Sequence, residues 1–70
     1  MSIQEFDVVE ISKDIVVKTD DGEFITYATG SRGAVLEIFE PPLQYLIEFV
    51  SAEGSQVNQT FVEPSDVKLV

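Results

Sequence analysis

The chain has 70 residues and a mass of 7.8 kDa, which is the size of one small domain. It contains no Cys and no His, so it lacks the side chains that most often act as nucleophiles, general bases and transition-metal ligands. Thirteen acidic and four basic residues give a formal net charge of -9, which repels the phosphate backbone of nucleic acids. We therefore expect no enzyme activity, no cofactor, no metal site and no direct binding to nucleic acid.

The apolar composition favours β-strands. Val and Ile supply 16 of the 31 apolar residues, and β-branched side chains lose rotamer freedom in helices but pack well on a pleated sheet. No stretch approaches the roughly 18 apolar residues of a membrane-spanning helix. Residues 1–5 lack the basic start and apolar run of a signal peptide. We therefore expect an all-β, cytoplasmic protein that does not bind membranes.

The first half of the chain predicts a strand followed by a hairpin. Residues 6–12 mix apolar and acidic positions over the length of one strand. Two β-rich segments, residues 15–19 and 24–27, flank an Asp-Gly step, which is typical of a hairpin turn. Glycines that can adopt a positive φ then break the chain at residues 30–33. The sequence therefore predicts a hairpin over residues 15–27 and a turn after it.

The second half predicts another hairpin and a closing strand. Residues 34–39 and 45–50 are apolar-rich and flank two prolines, which cannot donate to a strand ladder. A further turn at residues 52–55 precedes a more polar strand over residues 56–62, a short helical turn and a last strand over residues 67–70. The residues that we expect in turns are Asp21, Gly22, Gly30, Gly33, Pro41, Pro42, Gly54 and Pro64.

The two faces of the predicted hairpin over residues 34–50 differ in composition. If its loop pairs Phe39 with Gln44, the alternation of strand side chains assigns to the core Ala34, Leu36, Ile38, Tyr45, Ile47 and Phe49. The opposite face combines apolar and acidic side chains, a mixture that suits a protein interface. Its candidate partner-binding residues are Val35, Glu37, Phe39, Leu46 and Glu48. A second interpretation is that the hairpin over residues 15–27 covers this face as another layer of core.

Several segments occur in an order that we identify as a family resemblance. They are FDVVE at residues 6–10, GSRGAV at 30–35, YLIEFV at 45–50 and EPSDVKLV at 63–70. The chain resembles a family of short bacterial proteins that is known only as a domain of unknown function. The resemblance implies a small SH3-like barrel of about five antiparallel strands, with a 3-10 turn before the last strand. The hairpin over residues 15–27 is then an addition to that pattern.

The resemblance extends to SH3-like barrels that serve as small subunits or domains of larger assemblies, such as the β subunit of nitrile hydratase and several photosynthetic electron-transfer complexes. Together with the charge, it favours a non-catalytic module or accessory subunit that binds another protein with a basic surface. The alternative is an acidic mimic of nucleic acid, or an inhibitor or immunity protein that occupies a basic cleft. A domain this small buries only about 60% of the surface of its unfolded chain, so self-association would also stabilise it.

Overall fold

The computed structural model describes residues 2–50 and 57–70. Seven strands and one short 3-10 turn follow one another along this part of the chain. In chain order they are β1 (Val8–Ile11), β2 (Ile15–Lys18), β3 (Phe24–Tyr27), β4 (Arg32–Phe39), β5 (Gln44–Val50), β6 (Val57–Val62), the 3-10 turn (Pro64–Asp66) and β7 (Val67–Leu69).

The strands form two antiparallel sheets. The larger sheet has five strands in the order β6-β5-β4-β1-β7, and β2 pairs only with β3 in the smaller one. The all-β class, the five antiparallel strands, the additional hairpin and the 3-10 turn before the last strand are therefore confirmed. Among the described residues, β6 and β7 are the two edges of the larger sheet and do not pair with each other. This sheet is consequently open and does not close into the barrel that the family resemblance implies.

The β2–β3 hairpin covers one face of the larger sheet, which we call the inner face. Ile15 and Val17 of β2 are buried in the main apolar cluster. The ring of Tyr27 in β3 stacks on that of Phe49 in β5, with ring centroids 4.1 Å apart and an angle of 13° between the planes. The predicted hairpin thus supplies a second layer of core, but it covers the inner face and leaves the opposite face, which we call the outer face, open.

The core lies between this hairpin and the inner face. Alternate residues of β1, β4, β5, β6 and β7 point into it, as the two-residue period of a strand requires. Its members are Val9, Ile11, Ile15, Val17, Val35, Tyr45, Ile47, Phe49, Val62 and Val67, with Ile3, Tyr27 and Ile38 packed against them.

A bulge in β4 changes which side chains face the core. Phe39 pairs with Gln44, the condition on which the two faces are assigned, but the register shifts between Val35 and Glu37, where Leu36 is one extra residue. An extra residue moves every side chain on one side of it to the opposite face. Val35 therefore lies in the core with 0% of its surface exposed, and its predicted place on the outer face is wrong. Ala34, predicted in the core, pairs with Glu48 and lies on the outer face.

The two glycines after the first hairpin play different roles. Gly30 has φ +95° and lies in a turn, as expected. The predicted turn at Gly33 is wrong, because this residue lies inside β4 and pairs with Val9 of β1. A Cβ at Gly33 would lie 2.8 Å from the carbonyl oxygen of Glu48 and 3.3 Å from the Phe49 ring. Glycine is therefore needed here for the close approach of β5 rather than for a positive φ.

The other predicted turn residues lie between strands wherever the structure describes them. Asp21 and Gly22 connect β2 to β3, and Gly22 has φ +85°. Pro41 and Pro42 lie between β4 and β5, and Pro64 opens the 3-10 turn. The predicted turn at residues 52–55, which includes Gly54, lies outside the described residues.

Candidate functional site

The outer face presents side chains in rows that cross the sheet. Residues paired directly across antiparallel strands share a face, so the register between β1, β4, β5 and β6 gives the composition of each row. The first row is Phe39 and Gln44, the second is Glu37, Leu46 and Phe61, and the third is Val8, Ala34, Glu48 and Gln59.

Two phenylalanine rings meet on this face although their strands are not neighbours. Phe39 of β4 is 38% exposed and Phe61 of β6 is 58% exposed, and their ring centroids lie 5.6 Å apart at an angle of 59°. The strand between them contributes Leu46, the direct partner of Phe61. We call Phe39, Leu46 and Phe61 the aromatic patch. A tilted pair of rings is a favourable geometry, so the patch is pre-organised while it still exposes apolar surface.

Carboxylates lie beside the aromatic patch. Glu37 pairs with Leu46 in the second row, and Glu48 lies in the row next to it. No ion pair of either side chain is found among the described residues. Unpaired carboxylates beside an apolar surface give that surface a negative potential, which attracts cationic groups.

The basic residues of the outer face lie in the central strand β4 and in the edge strand β7. The Glu10 carboxylate of β1 forms two ion pairs. One is with Lys68 of β7, at 3.1 Å between Nζ and Oε2, and the other is with Arg32 of β4, at 3.9 Å between Nε and Oε1. Glu10 pairs with Arg32 and with Lys68 across the two ladders, so the three side chains form one row. Positive charge on this face is therefore confined to β4 and β7, where Glu10 offsets one of the two cations, and the side formed by β5 and β6 is uncharged or acidic.

Four of the five candidate partner-binding residues share this outer face. Glu37, Phe39, Leu46 and Glu48 lie within or beside the aromatic patch, whereas Val35 is in the core. The predicted set omits Phe61, because the sequence predicts only a more polar strand over residues 56–62. The signal was present in the sequence, since Val57, Gln59 and Phe61 alternate with Asn58, Thr60 and Val62, and only the second set turns to the core side.

A cleft of about 410 Å³ lies between the end of the β2–β3 hairpin and β6. Its lining is mostly polar and consists of Lys18, Thr19, Asp20, Val57, Asn58 and Gln59. The side-chain amide of Asn58, one of these residues, donates a hydrogen bond of 2.7 Å to the Tyr27 hydroxyl. This bond ties the hairpin to β6 next to the cleft.

Two other carboxylates hold loops in place. The Glu63 N–H donates to the Asp66 carboxylate at 3.0 Å, and this bond, together with Lys13 Nζ at 3.0 Å, lowers the pKa of Asp66 below its ordinary value against the opposing effect of burial. The Thr29 N–H and hydroxyl donate to Asp14 and lower its pKa. Both groups are ionised at neutral pH and stabilise turns; neither belongs to the aromatic patch.

Comparison of the chain with protein-family models, with curated proteins and with solved structures finds no match. Within residues 2–50 and 57–70, no group of three His, Cys, Asp or Glu side chains is arranged to hold a metal ion. In the same part of the chain, no helix has the length and apolar character needed to cross a lipid bilayer.

Proposed function

We propose that this chain is a non-catalytic interaction module, or a small accessory subunit, that binds a basic surface of another protein through its outer face. The observation that carries the proposal is the aromatic patch. Its two exposed phenylalanines contact each other on an open sheet, beside two carboxylates that form no ion pair with any described residue. Exposed aromatic clusters are costly in water and are enriched at the centres of protein interfaces.

The distribution of charge supports a basic partner. The formal net charge of -9 steers positively charged proteins toward the chain over long distances. At short range, Glu37 and Glu48 are placed to pair with Lys or Arg side chains at the rim of an interface whose centre is the aromatic patch. The partner's complementary surface is therefore apolar in the middle and basic around it.

The same patch favours protein binding over mimicry of nucleic acid. A mimic replaces phosphates and needs rows of carboxylates at regular spacing. On the outer face, the rows of Glu37 and Glu48 combine one glutamate with apolar or amide side chains, and the row of Glu10 pairs it with Arg32 and Lys68. A catalytic role has weaker support still, because a chain without His or Cys has few groups that titrate near neutral pH.

The proposal is tested by affinity capture from the source cells, with the tagged chain and its variants compared at low and high salt. Phe61→Ser removes half of the aromatic pair, and the double variant Glu37→Lys, Glu48→Lys reverses the charge beside it. We expect a specific partner with a basic surface that is captured by the natural chain and lost with either variant. Higher salt should weaken capture, because exposed ion pairs are screened.

The matched control is Phe24→Ser, which removes a phenylalanine of 69% exposure from the hairpin instead of the outer face. It should capture the partner as well as the natural chain does. Equal loss with Phe24→Ser and Phe61→Ser would contradict the proposal, as would capture that survives all outer-face variants. Capture of nucleic-acid-binding proteins alone, with DNA as a competitor, would support mimicry instead.

A further inference from the structure

We infer that the partner binds by adding an extended, basic segment as a sixth strand along the edge of β6, beside the aromatic patch. This inference rests on the proposed function and specifies how the partner is recognised. Main-chain hydrogen bonds supply affinity in such β-augmentation, and alternate side chains supply specificity. Three features of β6 support it: the direction of its backbone groups, its unprotected sequence and the side chains next to it.

The direction of the backbone groups follows from hydrogen bonds at the other side of the sheet. The Val35 N–H donates to the Asp7 carbonyl at 2.9 Å, and the Val35 carbonyl accepts from the Phe6 N–H at 2.7 Å. Val35 thus points its backbone groups toward β1. Because neighbouring strand residues point them to opposite sides, Ala34 points toward β5, and so its partner Glu48 points toward β4.

The same alternation continues through β5 into β6. Ile47 and Phe49 must point toward β6, where their partners are Thr60 and Asn58. The residues between these partners then direct their N–H and C=O groups away from the sheet; they are Val57, Gln59 and Phe61. Among the described residues, no segment pairs with this side of β6, so three donors and three acceptors form a template for another strand.

The sequence of β6 lacks the features that usually protect an edge. Proteins block strand edges with charged residues, prolines, bulges or very short strands. β6 has six residues, VNQTFV, with no charge and no proline. The opposite edge, β7, has three residues, includes Lys68 and follows the 3-10 turn that opens with Pro64. Of the two edges that the described residues give the larger sheet, β6 alone is both long and unprotected, and the cleft between it and the hairpin leaves space for an incoming chain.

The side chains beside the edge define the chemistry of the added strand. On the outer face, alternate residues of the added strand would lie next to Val57, Gln59 and Phe61. The two that lie next to Val57 and Phe61 should be apolar, because those neighbours are apolar. The middle residue would lie across Gln59 from Glu48, two strand spacings of about 4.8 Å away. A Lys or Arg there is long enough to reach over Gln59 to the carboxylate. The expected segment therefore alternates apolar, basic and apolar residues on one face.

Charge argues against a second copy of the chain at this edge. Pairing β6 with itself would bring two Glu48 side chains onto one continuous face and join two chains of formal charge -9. Like charges on one face repel each other, and β6 contributes no basic residue to offset them. A basic segment of another protein has the complementary charge.

The test measures amide hydrogen exchange of the ¹⁵N-labelled full chain with and without a synthetic peptide. In this peptide, valine, lysine and valine occupy every second position in that order, and threonines occupy the positions between them. At a peptide concentration about tenfold above Kd, exchange at bound positions slows about tenfold. We expect this slowing at the amides of Val57, Gln59 and Phe61. A peptide with glutamate in place of lysine is the matched control and should bind more weakly. Glu48→Gln should reduce the affinity for the lysine peptide roughly two- to fivefold.

Two variants at one position separate the backbone from the side chain. Gln59→Pro removes an outward N–H without removing a bond to β5, a position where an edge strand tolerates proline. It should weaken peptide binding roughly two- to tenfold, the value of one hydrogen bond. Gln59→Ala keeps the N–H and should bind within about twofold of the natural chain. Circular dichroism of both variants checks that the sheet is retained.

Three results would overturn the inference. The first is no slowing of these amides at millimolar peptide; the second is binding that shifts resonances of the aromatic patch but leaves edge exchange unchanged. In both cases, capture of a partner that depends on Phe61 would still support the proposed function. The third is edge protection in the free chain that rises with protein concentration, together with a dimer in sedimentation, which would assign the edge to a second copy.

Discussion

The inner face of the five-stranded sheet is buried and the outer face is exposed, although the same strands form both. On the inner face, Val9 and Val35 have no exposed surface, and on the outer face Phe61 is 58% exposed. Apolar content does not distinguish the faces, because each contains phenylalanine and β-branched side chains. The difference is the β2–β3 hairpin, which covers only one of them. Apolar side chains under the hairpin stabilise the fold, and those opposite it are available for a partner.

The sharpest test of this comparison uses adjacent valines of β1 that point to opposite faces. Val9→Asp places a carboxylate in the apolar core without a partner, and we expect a loss of about 4 kcal/mol or more, enough to unfold a domain of this size. Val8, 47% exposed, is the matched control: Val8→Asp should cost about 1 kcal/mol or less. Urea unfolding followed by circular dichroism measures both. Equal losses would show that the outer face is also core.

Gly33→Ala tests the close packing of β4 against β5 on the inner face. The added Cβ would lie 2.8 Å from the Glu48 carbonyl oxygen, so the backbone of β5 must move. We expect a loss of about 1–3 kcal/mol, the usual cost of overpacking. Chemical denaturation gives the magnitude, and amide shifts at Glu48 and Phe49 should locate the disturbance. Unchanged stability would mean that β5 can move away from β4 without a loss in the free energy of unfolding.

Tyr27→Phe tests how the hairpin is held over the inner face. The variant keeps the stacked ring on Phe49 but removes the hydroxyl that accepts from Asn58. We expect a loss of about 1 kcal/mol, because the largely buried Asn58 amide loses its partner. In a double-mutant cycle, the same change in an Asn58→Ala background should cost much less. Additive losses would show that the hydrogen bond does not couple the hairpin to β6.

Asp66 gives a pH-dependent contribution at the β7 side of the sheet. Its pKa is lowered by the Glu63 N–H and by Lys13, so the unfolded chain takes up a proton at a higher pH than the folded one. The stabilisation is present above the unfolded pKa of about 3.9 and is lost as the pH falls below it. Asp66→Asn should therefore cost a few tenths to about 1 kcal/mol at pH 7. That difference should shrink toward zero as the pH falls through the lowered pKa of Asp66 in the folded chain; a constant difference would exclude an electrostatic origin.

The sequence predicts the strands and the hairpins, but it predicts neither the bulge in β4 nor the face that the hairpin covers. The strands and the pairing of Phe39 with Gln44 follow from turn residues and period-two patterns. Residues 34–39, AVLEIF, contain apolar side chains in both phases of the alternation, so the pattern cannot show where an extra residue enters. The bulge at Leu36 is determined by tertiary packing, which moves Val35 under the hairpin. Which face the hairpin covers is likewise a long-range property that local spacing does not encode.

The smallest expected effect on stability comes from the aromatic patch itself. Phe61→Ser removes a side chain that is mostly exposed, so the free energy of unfolding should change by about 0.5 kcal/mol or less. Its neighbour Val62 is 3% exposed on the inner side of the same strand, and Val62→Ser should cost roughly 2 kcal/mol or more. Thermal and urea unfolding of the pair measure the contrast within one strand. A large loss for Phe61→Ser would mean that the patch supports the fold. If the variant keeps its stability but no longer captures the partner, the binding face is separate from the folding core.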